Sequence, residues 1–204
     1  MKKIIKLSGI IALTVLVWFS LIGCGDGAGS GNGDLPIKTI KWEVGKDGFR
    51  QFYSNDIKNY DYYFYYLMEN NNNTYEIDCK KMNGSQIYGY GMVFGASNTG
   101  TDNYYYLIIT CDGYYRISKV SDGQRTTVCD WTETTAVKPG YNNLNNLKVV
   151  TSGTSYIVFI NGIQVYNFTD EGVFGSRIGF YAAVGTEEYE DFPNRPVDVR
   201  FMKK

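Results

Sequence analysis

Histidine is absent from all 204 residues. That absence removes Ser-His-Asp and Cys-His catalysis and any histidine-ligated zinc or iron site. Proline is scarce, with four residues against 23 glycines and 19 tyrosines. No stretch after residue 34 sustains an apolar period of 3.6, so a helical domain is excluded as well. Basic clusters are also missing. Beyond residue 23 the 20 basic residues lose Lys2, Lys3 and Lys6, leaving 17 against 21 acidic ones and a net charge of −4. A mildly acidic domain of this kind is a poor partner for nucleic acid.

What is present begins with a short basic leader, MKKIIK, followed by the apolar run LSGIIALTVLVWFSLIG. The two together have the pattern of a secretory signal segment. The run ends in LIGC, Leu21 to Cys24, which resembles the lipobox of bacterial lipoproteins, although Ile22 is larger than the residue usual there. The resemblance implies cleavage before Cys24 and diacylglycerol on its sulfur; the alternatives are an uncleaved anchor or an ordinary signal peptide with a chance cysteine. Residues 1–23 are therefore read as the signal peptide. Residues 24–34, the lipidated cysteine and GDGAGSGNGD, form a tether in which nothing can bury apolar surface. Residues 35–204, about 170 in number, have the size of one domain. By resemblance to bacterial lipoprotein sorting, Gly25 rather than aspartate after the lipid cysteine implies the outer membrane or cell surface. The expected assembly is a monomer held at the membrane by its lipid.

Runs rich in Tyr, Ile, Val, Phe and Thr recur about every 8 to 12 residues between Gly, Asn and Asp, which reads as all-β. The expected strands are DYYFYYLM, TYEIDCKKM, IYGYGMVFG, NYYYLIITC, YYRISKV, QRTTVCDW, NNLKVVTS, SYIVFI, IQVYNF, RIGFYAAV and VDVRFM. CDGY, SDGQ and INGI each place Asp-Gly or Asn-Gly between such runs, as a two-residue type I′ hairpin requires. Residues 104–131 are then a three-stranded meander. Two-residue turns set Cys111 opposite Tyr114, Tyr114 opposite Trp131, and Arg116 opposite Cys129. In that register Cys111 and Cys129 share a face two strands apart, roughly 9 Å, beyond the ~7 Å a disulfide spans. Cys79, Cys111 and Cys129 are expected as buried thiols; the alternative is a single disulfide from Cys79 to one of the other two, should its strand neighbour theirs.

The order YGYGMVFG, DNYYYLIITCDGYYRISKVSDGQ, DWT, NNLKVV, YIVFINGIQV, GSRIGFYAAVG and the closing VDVRF resembles concanavalin A-like lectin/glucanase domains. Within them it is most similar to the laminin-G-like form and the domain of the 3-keto-disaccharide hydrolases. The likeness runs from about Asn59 to Phe201. It implies two antiparallel sheets packed as a jelly-roll β-sandwich, a fold that hosts lectins, hydrolases and adhesion modules alike.

Within this frame YEIDCKK, Tyr75 to Lys81, begins like the Glu-x-Asp-x-x-Glu strand of family 16 glycoside hydrolases. There, two carboxyls about 5–5.5 Å apart act as nucleophile and acid. Glu76 and Asp78 match, but Lys81 stands at the third position, or Lys80 without the family's bulge. Lysine cannot replace the acid without a strongly lowered pKa, and alternation gives Glu76, Asp78 and Lys80 a solvated face opposite Tyr75, Ile77 and Cys79. The hydrolase reading fails at this motif. EEYEDF supplies Glu187, Glu188, Glu190 and Asp191, a cluster that could hold calcium but matches no defined calcium loop; calcium is the one cofactor the sequence suggests.

The aromatics offer a different chemistry. In the derived register one face of the meander carries Tyr105, Tyr114, Arg116, Arg125 and Trp131, and the other carries Tyr104, Tyr106, Ile108, Tyr115 and Ile117. Neither face is cleanly apolar, so the pattern does not decide which packs inside. With the first exposed, those five residues make a platform on which sugar rings stack; otherwise tyrosines fill the rims of the sandwich. The reading is a lipid-anchored, non-catalytic carbohydrate-binding sandwich. The alternatives are a glycoside-acting hydrolase of the same fold and a protein-binding surface scaffold.

Overall fold

A computed structural model describes residues 40–54, 61–97, 103–171, 174–184 and 197–204. Cys24, the leader, the tether and the cluster of Glu187, Glu188, Glu190 and Asp191 lie outside the described residues. Among the described residues thirteen strands run in chain order: β1 (Ile40–Val44), β2 (Arg50–Ser54), β3 (Asp61–Met68), β4 (Thr74–Asn83), β5 (Tyr90–Ala96), β6 (Tyr104–Ile109), β7 (Tyr114–Ser121), β8 (Gln124–Glu133), β9 (Asn145–Ser152), β10 (Ser155–Ile160), β11 (Ile163–Thr169), β12 (Arg177–Val184) and β13 (Val197–Lys203). No helix occurs among the described residues.

The strands form two antiparallel sheets. The first has the order β1-β2-β13-β4-β9-β10-β11, and the second β3-β12-β5-β6-β7-β8. β1 and β2, β5 to β8, and β9 to β11 follow one another within a sheet; at the other connections the chain crosses from sheet to sheet, which is the jelly-roll route. Strand alternation builds the core between them. Val197, Val199 and Phe201 of β13 point inward while Asp198 and Arg200 do not, and Leu147 and Val149 do the same on β9. Rings join the layers, with Phe180 of β12 stacked on Phe201 of β13 at 4.9 Å and Tyr105 of β6 against Tyr156 of β10 at 5.3 Å.

β1 and β2 are absent from the strands expected from sequence. Their signal is a β-turn over Gly45–Gly48 with Gly48 at φ 79°, set between short runs in which Lys41, Glu43, Arg50 and Gln51 dilute the apolar pattern.

Two of the three Asp/Asn-Gly turns are two-residue hairpins. Asp122 and Gly123 adopt φ 50° and 76°, Asn161 and Gly162 φ 52° and 81°, and Ser121 pairs with Gln124 and Ile160 with Ile163. The third differs. Ile109 pairs with Tyr115, Thr110 N–H donates to the Tyr114 carbonyl at 2.9 Å, and Cys111, Asp112 and Gly113 form a three-residue loop. Gly113 alone takes positive φ, 98°, as such loops require. One extra loop residue slips the register by one and turns β6 over relative to β7. Tyr105, expected beside Tyr114 and Arg116, is fully buried in the core, and Tyr104 and Tyr106 occupy the outer face. Cys79, Cys111 and Cys129 are buried free thiols.

Candidate functional site

The outer face of β5 to β8 carries a second hydrophobic cluster, including Tyr88, Val93, Tyr106, Ile108, Val120 and Tyr181. Tyr106 of β6 and Tyr181 of β12 stack at 4.9 Å and 7° across the intervening β5. Gly91 lies opposite both Tyr181 and Ile108, and a Cβ there would stand 2.1 Å from the Leu107 carbonyl oxygen. The close approach of β5 and β6 therefore depends on glycine.

This face forms a groove of about 560 Å³, within the ~300–1,000 Å³ of small-ligand pockets. Tyr106, Tyr181, Ile108 and Ala183 line it together with Ile87 and Tyr88 on one side and Tyr114, Arg116, Arg125 and Trp131 of β7 and β8 on the other. Thr110 and Asp112 line its loop end. Four of the five platform residues expected from sequence are thus brought together. Tyr105 is not among them; it packs against Phe94, Tyr156, Phe168 and Phe174, and burial raises its hydroxyl pKa strongly.

The β7–β8 ladder departs from even pairing twice, around Ile117. These bulges seat Arg116 opposite the Asp130–Trp131 segment. Its Nη2 donates to Thr127 Oγ1 at 2.8 Å, its guanidinium carbon stands 5.8 Å from the Trp131 ring centroid, and its Nε lies 3.7 Å from Asp130 Oδ1. Trp131 remains 41% exposed. An exposed indole held by a cation–π contact is a preformed stacking surface.

The opposite side of the groove is held from inside the core by Lys81. Sequence alternation read only to Cys79 leaves this residue out. Carried one step further it places Lys81 inward, and the bulge in β4, where Lys81 faces Val199 and Asn83 faces Asp198, comes only after it. Lys81 is completely buried. Its Nζ donates to the carbonyls of Ser85 at 2.5 Å and Tyr88 at 2.7 Å and lies 5.6 Å over the Tyr90 ring. Desolvation lowers its pKa to about 8, a shift that nothing in the sequence announced. Cys111 N–H to Gln86 O (2.8 Å) and Ala183 N–H to Gly89 O (2.9 Å) complete the fastening of residues 85–89.

Glu76 and Asp78 lie on the outer face of the other sheet. Asn146 Nδ2 donates to Glu76 Oε1 at 3.0 Å and to Asp78 Oδ1 at 2.9 Å. Lys148 approaches Glu76 at 3.7 Å and Lys204 approaches Asp78 at 2.7 Å. Asp78 is buried beneath these partners rather than solvated, and the third outward position, Lys80, rests its ammonium 4.7 Å over the Phe49 ring. The acids form a structural network with no second acid facing them from Lys80 or Lys81. No group of three or more metal-ligating side chains occurs among the described residues.

No family model matches the sequence, and no curated protein matches it. Solved structures do resemble the fold. Carbohydrate binding module CBM66 from Bacillus subtilis superposes with a TM-score of 0.55 at 14% identity, over 81% of this chain and 91% of that one. The Bacillus licheniformis β-glucanase does so with a TM-score of 0.50 at 10% identity, over 80% and 82%. Both are concanavalin A-like jelly-roll domains, and the chain shares that fold.

Proposed function

We propose that the protein is a lipid-anchored lipoprotein of the bacterial cell envelope, at the outer membrane or cell surface, whose β-sandwich binds carbohydrate without cleaving it. The observation that carries this reading is the groove on the β5–β8 face, where Trp131 is exposed beside Tyr114 and is fixed by Arg116. Aromatic faces provide apolar contact for the C–H side of a sugar ring, and the guanidinium and hydroxyl groups around them read ring hydroxyls. The likeness of fold to a module named for carbohydrate binding supports the same reading, as does the capture of Glu76 and Asp78 in a structural network. The lipid on Cys24 and the tether of residues 24–34 keep this face at the envelope.

A glycan array probed with the protein, with and without calcium, tests the reading. Specific binding is expected and should be lost in Trp131→Ala. Binding that disappears on chelation makes Glu187, Glu188, Glu190 and Asp191 the next residues to substitute. A silent array contradicts the reading in favour of a protein-binding surface.

A further inference from the structure

Sugar stacking needs aromatic rings and neutral hydrogen-bonding groups, yet this groove also contains two guanidiniums. Among the described residues Arg116 and Arg125 line it together with Asp112. Asp130 faces Arg116 at 3.7 Å from an exposed position.

Arg116 is the better defined of the two cations. Its side chain is 19% exposed, its Nη2 is spent on Thr127, and its guanidinium carbon lies 5.8 Å from the Trp131 ring centroid. Its Nε is buried and makes no hydrogen bond, because Asp130 at 3.7 Å is too far to accept one. A guanidinium keeps its charge at any relevant pH and presents five donors in a rigid fork suited to a two-oxygen anion. A neutral hydroxyl can take a donor without meeting the charge, whereas a carboxylate or sulfate does both.

We infer that the groove selects an oxyanion-bearing glycan, one carrying uronate carboxylates or sulfate esters, with Arg116 reading the charge while Trp131 and Tyr114 hold the ring. This rests on the carbohydrate reading above and narrows it to a substrate class. Arg125, exposed at the start of β8, adds positive potential and attracts the polyanion.

The test is a binding titration of the full chain in detergent with polygalacturonate, dextran sulfate and the neutral glucan laminarin. Either polyanion should bind more tightly than laminarin, and binding should weaken as salt is raised. Which polyanion binds distinguishes carboxylate from sulfate. Arg116→Gln should weaken polyanion binding on the order of tenfold or more and weaken any laminarin binding, which loses only a neutral hydrogen bond, by a clearly smaller factor, with Arg116→Lys failing to restore polyanion binding. Should Arg116→Gln fail to fold, Arg125→Gln at its exposed position carries the same comparison with a smaller loss. Laminarin bound as tightly as the polyanions, or polyanion binding indifferent to both substitutions, overturns the inference and leaves the carbohydrate reading standing. No binding to any of the three, together with a silent array, overturns both.

Discussion

An ammonium in the core of a β-sandwich must find acceptors or give up its proton. Lys81 finds two carbonyls and a tyrosine ring, and burial still lowers its pKa to about 8 from 10.5. Between those values the unfolded chain binds the proton that the fold has released, so this residue's contribution to stability rises with pH there, by ~3 kcal/mol. The buried thiols and phenols act in the opposite sense. Burial raises Cys79 and Cys111 and pushes Tyr75 and Tyr115 up to about 12, so stability falls once an unfolded cysteine or tyrosine would ionise, above roughly pH 9. Urea titrations from pH 8 upward should show a decline that is steeper in Lys81→Met, which lacks the compensating rise. The same substitution removes the ammonium that donates to the Ser85 and Tyr88 carbonyls, so amides of residues 85–89 should exchange faster. Equal pH slopes and unchanged exchange would show that Lys81 does not fasten this side of the groove.

At the scale of elements, the three-residue loop Cys111–Gly113 decides which tyrosines reach the groove. Its geometry depends on Gly113 at φ 98°, so Gly113→Val should lower stability by ~1–2 kcal/mol, measured by urea denaturation. Deleting Asp112 would restore the two-residue turn and rotate β6, bringing Tyr105 out and Tyr106 in, so this variant should not fold. Most strands were legible because aromatic and β-branched runs are punctuated by glycine and asparagine. The hairpins at Asp122-Gly123 and Asn161-Gly162 were legible to the residue. The loop at Asp112-Gly113 was not, since Asp-Gly fits either a two-residue turn or the end of a three-residue one, and only the pairing of Ile109 with Tyr115 separates them. β1 and β2 were lost to their charged residues. Lys81 was hidden by its own polarity, because an inward lysine contradicts the pattern used to find inward residues.

For the whole molecule, the sequence indicates an all-β sandwich but not its route. The order of strands in the two sheets depends on crossovers that no local pattern encodes. The candidate site shows the same division. Tyr114, Arg116, Arg125 and Trp131 come from one meander and were within reach of register arguments, while Ile87, Tyr88 and Tyr181 join them through tertiary packing. At this scale the account also expects attachment. Cys24→Ser should abolish partitioning of the protein into detergent, and retention there would rule out the lipid on that sulfur. The central claim is that sugar binds on Trp131. If the leader is removed, only Trp42 and Trp131 remain of the three tryptophans, so indole fluorescence reports on the groove. Titration with the glycan that binds most strongly on the array should shift and saturate the emission, and Trp131→Phe should remove the change. An emission change that survives in Trp131→Phe, or saturated binding with no change in the unsubstituted protein, would place the ligand elsewhere on the sandwich.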